Sequence, residues 1–576
     1  MRRVLLSVAM LAALAACARD DDAVAPVAPV AATPSSAVVV AKPAAAPSPW
    51  ADNPGALRIQ ADVAYLADDR LQGREAGTAA FDVAAAYVAT RFETIGLEPA
   101  GDDGGFFQTV PLLKATRQRD GAQLSVRRNG RRIDLRFAEH YLPAAGFDDG
   151  SSAIEAAAVF VGQAIHAPSL GHDDFKGVDL RKRIAVILGG APATFDNDRR
   201  AFYASTREKL KAVAQRGAIG AVLVNTIDDE ARAPWSRSAD NWDRPSMRLR
   251  GADGDALDGH TGTLRQLRVV ASVAASAAEL VFADAPQTAA QLFAAAQAGT
   301  LKSFALPGSI ALAARTRIEP AQSRNVVARL RGSDAARRRD NIVYSAHLDH
   351  IGVGKPVNGD RINNGALDNA LGVAILLEAA RTLAKAAPAP KRSLLFVATT
   401  AEEKGLLGAE WFARHPTVPA TSLIANINLD MPVLMAPTTD VVPIGVEHST
   451  LKATLDAAAQ DIGVALSPDP FPEENVFVRS DQYAFIRAGI PAVYLLGGVV
   501  PADTKTIRDP KLALHYFLRN CYHRPCDDAA QPIQYGDAER LARLNARIGV
   551  LIGDAAARPA WNKGDFFGTQ FAKPSR

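Results

Sequence analysis

Residues 341–378 read NIVYSAHLDHIGVGKPVNGDRINNGALDNALGVAILLE, and this stretch decides the fold. Ile342 to Ala346 is a short apolar run of the kind that forms a buried strand. A His-Leu-Asp-His cluster, His347 to His350, stands at its end. After a loop rich in Gly and Asn, apolar periodicity predicts a helix that opens at Asp368. In open α/β sheets, ligands bind beyond the carboxyl ends of the strands. Acids and imidazoles gathered at such an end point to a metal site, and the rest of the chain must supply the missing ligands.

Working outward from this stretch, the chain after Arg317 alternates regularly. Strand 341–346 is followed by helix 369–383, strand 394–399 by helix 406–414, strand 423–429 by helix 451–462, and strand 492–496 by a final helix 538–555. Near-continuous apolar strands between helices predict an α/β fold: a doubly wound, mostly parallel sheet with helices on both faces. The candidate ligands all sit at strand ends. LLFVATTAEE runs into Glu402 and Glu403, LIANINLD ends in Asp430, and the distant YHRPCDD carries His523.

These are nitrogen and oxygen donors without a thiolate, which suits a hydrolytic zinc site better than a structural cysteine cluster. One divalent ion rarely needs three carboxylates, whereas a pair about 3.5–4 Å apart can absorb them. Asp368, with two carboxylate oxygens, would bridge two Zn2+ ions. His347 and Asp430 would complete one position, Glu403 and His523 the other. Asp349, two residues beyond His347, can point the same way and support that imidazole. Adjacent residues in extended chain point apart, so Glu403 binds metal while Glu402 faces the substrate water. Singly, each residue has a plainer explanation: a polar strand end, or for Asp368 a helix N-cap. All five together point to a metal.

The motifs AHLDH, NGALDNALGVA, TTAEEKGLLGAEWF, NINLDM and YHRPCDD resemble those of the dizinc exopeptidase family of secreted bacterial aminopeptidases and glutamate carboxypeptidase-like proteins. The resemblance extends to LADDRLQGREAGT near the N-terminus. It implies the same five ligands, His347, Asp368, Glu403, Asp430 and His523, with Glu402 as general base and Asp349 as the acid supporting His347. It also implies a cis peptide at Asp368–Asn369. One departure is Gln482, where relatives often carry His, a change expected at the substrate rim. The implied function is hydrolysis of terminal peptide bonds, an aminopeptidase first and a carboxypeptidase or dipeptidase second. Arg479, Arg487 and Arg524 near the motifs form no decisive cluster for a C-terminal carboxylate. A glutaminyl cyclase on the same fold uses one zinc, against which the complete ligand set argues. A lipid-anchored binding protein with a dead peptidase fold would show a broken one.

The 576 residues carry 65 basic and 62 acidic side chains, well mixed, and this balance offers nothing to nucleic acid. Arg2 and Arg3, the apolar Val4 to Ala13, and Leu14-Ala15-Ala16-Cys17 have the layout of a signal peptide ending in a lipobox. Cys17 is therefore the expected lipidation site, and the protein is expected to be exported, anchored to the cell envelope by lipid alone. Ala18 after it favours the outer membrane. Residues 17–50, mostly Ala, Pro, Val and Ser, read as a tether. In an oxidising compartment the only other cysteines, Cys521 and Cys526, are expected to pair around His523.

Length predicts two or three domains. After the signal (1–16) and tether, residues 51–136 begin the peptidase domain, 313–560 form its catalytic part, and 561–576 a tail. Between them, 137–312 reads as a β-rich insert. AVFVG, KRIAVILGG and KAVAQRGAIGAVLVNT there resemble a protease-associated domain. Asp253 to Gly259 has the flavour of a calcium loop but lacks the closing Glu and reads as a turn. Oligomeric state is not legible.

Overall fold

The computed structural model describes residues 50–257, 264–503 and 509–572. Cys17, the signal and most of the tether lie outside the described residues, as do Asp258 and Gly259 of the acidic turn. Among the described residues no helix is long and apolar enough to cross a membrane.

The chain opens with α1 (Pro54–Leu66), whose N-cap Asn53 accepts from the Ala56 N–H, and α2 (Ala79–Ile95), capped by Thr78. Gly96 ends α2 in the left-handed conformation, where a residue without Cβ is least hindered. Two 22-residue strands follow, β1 (Phe107–Arg128) and β2 (Ser309–Leu330). They pair antiparallel from Val326↔Phe107 to Ser309↔Arg127. At about 3.3 Å per residue such a ribbon is roughly 70 Å long. One end joins the main sheet, and the other carries the chain into and out of the insert.

The heart of the main sheet is β3 (Asn341–His347), β4 (Ser393–Thr399), β5 (Leu423–Asn428) and β6 (Ala492–Leu496), paired in parallel in the order β4-β3-β5-β6. β2 and β1 extend it antiparallel on one side, and Asp440–Ile444 does so on the other. The twelve-stranded sheet is therefore mixed, with its parallel character concentrated at the centre. Every residue of β3 and β4 is buried because helices cover both faces. Ile342, Tyr344 and Ala346 pack beneath α1, α2, α3 (Leu371–Ala384) and α4 (Tyr535–Asp554), while Val343 faces the helices at 407–414 and 482–487.

The helix expected from Asp368 begins in regular form only at Leu371. Residues 366–370 make a wider turn in which Asp368 and Asn369 leave helical angles, and the Asp368–Asn369 peptide is cis. Side-chain bonds hold this turn in place: Asn369 donates to Leu429 O (2.9 Å), and Asp527 accepts the N–H groups of Leu367 and Asp368 (2.8 and 3.0 Å).

The insert has its own six-stranded sheet between Tyr141 and Ala305. Its inner strands (158–160, 184–188, 220–224, 269–273) are parallel, and helices lie between them. It is thus more α/β in character than its short apolar runs suggest. Its segments reach back onto the catalytic part. Arg244 donates to Ile351 O (3.0 Å), just past the HLDH cluster. Phe202 packs with Phe477 and Phe567.

Beside that aromatic contact His448, only 3% exposed, lies 2.6 Å from Asp565 through Nδ1 and 3.6 Å from Asp198 of the insert through Nε2, with the exposed Glu447 at 3.9 Å. Burial lowers the imidazole's pKa, but Asp198 and Asp565 outweigh it and lift it to about 9. A raised folded-state pKa stabilises fully below the unfolded value of about 6.5, and the contribution fades as pH rises through about 9. His448→Gln should therefore lower the melting temperature at about pH 6, with a gap to wild type that closes by about pH 10. A gap that does not change with pH would contradict a charged His448.

Candidate metal centre

Three parallel strands deliver their ends to one place. His347 is the last residue of β3, Glu402 and Glu403 follow β4, and Asp430 follows β5. Asp368 comes from the turn before α3, and His523 from the loop before α4. His347 Nε2 lies 3.0 Å from Asp430 Oδ1 and 3.3 Å from Asp368 Oδ1. His523 Nε2 lies 3.0 Å from Glu403 Oε2 and 3.3 Å from Asp368 Oδ2. Asp368 thus presents one oxygen to each group, the arrangement a bridging carboxylate needs.

Buried polar atoms are normally paired. Here Glu403 Oε1, His523 Nε2 and both ring nitrogens of His350 are buried without a hydrogen-bond partner. His347, Asp368 and Asp430 can converge on one cation, and His350, Asp368 and Glu403 on another. An imidazole and carboxylate set with orphaned, converging atoms fits zinc.

The electrostatics follow from burial and crowding. Burial lowers the pKa of His523, but Glu403 and Asp368 raise it to about 10. Burial raises that of Glu403, yet His523 and His350 bring it down to about 2. Glu402 moves the other way. Burial, joined by the charges of Asp430, Glu403 and Asp481, pushes its pKa well up against the pull of His347.

Asp349 supports the site differently from expectation. His347 Nδ1 meets the backbone carbonyl of Asp349 (3.1 Å), while the Asp349 carboxylate accepts the N–H groups of Glu402 and Glu403 (3.1 and 3.3 Å). One residue therefore orients the imidazole through its main chain and the Glu pair through its side chain. Gln482 is not at a rim. It is fully buried, accepts from Asn428 and donates to the carbonyls of Val476 and Phe477. Arg487 is committed to Glu410 (2.9 Å). Cys521 and Cys526 form a disulfide across the loop that carries His523.

Residues 325–548 match the sequence profile of Peptidase family M28. Over this region, which is less than half of the chain, the sequence is similar to that family. The chain is 38% identical over 114 residues to a "Probable zinc metalloprotease" of Pyrenophora teres f. teres (strain 0-1), covering 20% of this chain and 23% of that protein. It is 27% identical over 228 residues to "Leupeptin-inactivating enzyme 1" of Streptomyces exfoliatus, covering 39% and 45%. The chain thus spans less than half the length of these curated relatives. The solved aminopeptidase from Aneurinibacillus sp. strain AM-1 aligns with a TM-score of 0.49 at 18% identity, covering 86% of this chain and 92% of its own.

Three residues around this centre have roles that the sequence did not reveal. Asp527 ties the His523 loop to the turn carrying Asp368. His350 stands inside the quoted cluster, but strand alternation pairs His347 with Asp349 and leaves it aside. Arg74, in LQGREAGT, is fully buried, and its guanidinium donates to the carbonyls of Leu66, Leu348, Asn364 and Gly365. It pins the end of β3 to the loop that leads into Asp368. Removing it strands four buried carbonyls, each worth about 1–3 kcal/mol. Arg74→Ala should cost about 3 kcal/mol or more in denaturant unfolding, and Arg74→Lys should recover only part because an ammonium lacks the planar fork. Wild-type stability in Arg74→Ala would contradict this role.

Proposed function

We propose that the protein is a zinc-dependent exopeptidase that hydrolyses terminal peptide bonds, an aminopeptidase with two Zn2+ per chain. The observation that carries this reading is Asp368, which offers one oxygen to the His347–Asp430 pair and the other to the Glu403–His523 pair. The match of residues 325–548 to Peptidase family M28 and the similarity to a probable zinc metalloprotease support it.

His347, Asp430 and Asp368 would hold one ion, and Glu403, His523 and Asp368 the other. When bound, zinc supplies Lewis acidity, polarising the scissile carbonyl and acidifying water. Glu402 would take the proton of the attacking water and return it to the leaving amine. Asp349, through the N–H groups of Glu402 and Glu403, keeps one Glu turned to metal and the other to substrate.

A second reading, a carboxypeptidase, draws on Arg479. Its half-exposed side chain pairs with Glu474 (3.2 Å), and desolvation, which lowers its pKa, is outweighed by Tyr522, Glu474 and Glu402. It therefore lies within the field of the proposed base, where it could meet a C-terminal carboxylate. The protease-associated resemblance of the insert, export and lipid attachment at Cys17 complete the proposal. Acyl labelling that disappears in Cys17→Ser would test the anchor.

Glu402→Gln should keep its zinc and lose activity by about 10²–10⁴-fold, measured on a panel of aminoacyl and C-terminal peptide substrates. Equal rates in mutant and wild type would remove Glu402 from the mechanism. Turnover of C-terminal substrates alone would replace the aminopeptidase reading with the second one. A chelator should abolish turnover and added zinc restore it.

A further inference from the structure

His350 is the member of the HLDH cluster that this assignment leaves without a task. Its imidazole is fully buried, with Nδ1 2.8 Å from Glu403 Oε1 and 3.7 Å from Asp368 Oδ2. Yet neither its ring nitrogens nor Glu403 Oε1 makes a hydrogen bond. The two atoms stand at hydrogen-bond distance without pointing at each other, as ligands do when they face a common third atom.

The spacing agrees. Atoms each about 2.0–2.2 Å from one zinc ion stand roughly 2.8–4 Å apart. His350 Nδ1 stands 2.8 Å from Glu403 Oε1 and 3.7 Å from Asp368 Oδ2, a trio that can converge on one cation, and His523 Nε2 stands 3.0 Å from the other Glu403 oxygen and 3.3 Å from the same Asp368 Oδ2. The ring is also held in place. Gly365, at φ +64°, lies so close that a Cβ there would sit 2.6 Å from His350 Cγ and 2.8 Å from Cδ2. The His523 ring packs edge-on at 5.6 Å, and the His350 N–H donates to the carbonyl of Arg74 (3.3 Å). A residue with a side chain at 365 would displace the imidazole from the site.

We propose that His350 Nδ1 is a ligand of the metal held by Glu403, His523 and Asp368, an inference that rests on the metal-centre reading above. The two positions are then unequal. One has two imidazoles and two carboxylates, the other one imidazole and two carboxylates. Imidazole suits zinc, whereas an oxygen-rich set suits harder ions. The His350 position therefore fills first and releases zinc last, and the His347 position exchanges.

The test uses the full chain stripped of metal and titrated with zinc. X-ray absorption at one equivalent should show two imidazole ligands, and a single imidazole would overturn the proposal. His350→Ala and His350→Asn, with folding checked by circular dichroism, should weaken the tighter of two dissociation constants by about 10-fold or more. The weaker constant should stay within about 3-fold, since coupling through the shared Asp368 is indirect. His523→Ala is the control and should lose the tight position. A normal loss in His523→Ala beside an unchanged His350→Ala overturns the role of His350 alone. No zinc bound by wild type, or no loss in His523→Ala, overturns the metal-centre reading and this inference with it.

Discussion

Seven carboxylates and three imidazoles share one buried region at the ends of three parallel strands, and like charges at this density repel strongly in a medium that screens them poorly. Each buried, uncompensated charge costs several kcal/mol, so the fold depends on counter-charge at this point. Part of it comes from the protein. The Arg74 guanidinium lies within the field of Asp527, Asp368, Asp349 and Glu403, although burial lowers its pKa to about 10. Asp527 and Asp349 are relieved in another way: burial lifts both to about 7, and each accepts two backbone N–H groups. Asp368, Glu403 and Asp430 lie 3.0–3.3 Å from the imidazoles of His347 and His523, and divalent cations held there would neutralise these carboxylates in place of protons on the rings.

Much of this could be read from the sequence because parallel sheets leave a plain signature. Buried strands are apolar along their length, so an acid or histidine at the end of one stands out. His347, Glu403 and Asp430 were found that way, and the structure brings them together with Asp368 and His523. What stayed hidden works through the backbone. Arg74 binds four carbonyls, which any sequence possesses, so no partner residue marks its role. Asp349 was expected to touch His347 with its carboxylate and does so with its carbonyl, since two acids after β4 claim the carboxylate. His350 was visible in the quoted cluster but was given no role from the sequence. The chain turns out of the strand after His347, and that turn brings it back to the site. The start of α3 was misjudged by a few residues for a related reason: side chains of Asn369 and Asp527 hold the preceding turn open.

The insert was legible only in outline. The long β1–β2 ribbon was not drawn from the sequence, although positions such as Ile310, Leu312 and Ala314 alternate as buried along it. Its effect is to let a second sheet lean on the catalytic part without entering the core. Arg244 reaches the main chain just beyond the HLDH cluster, Lys404 is held by Glu75 and the carbonyl of Pro245, and His448 joins Asp198 to Asp565. These contacts are polar or ionic, while an aromatic cluster at Phe202 supplies the apolar anchor.

The account stands on two cations sharing Asp368. Anomalous diffraction from zinc-loaded crystals, recorded on both sides of the zinc edge, tests it most directly. The expected map has two peaks about 3.5–4 Å apart, one beside His347 and Asp430 and one beside Glu403 and His523, with an oxygen of Asp368 on each. A single peak, or two peaks of which Asp368 touches only one, would contradict it.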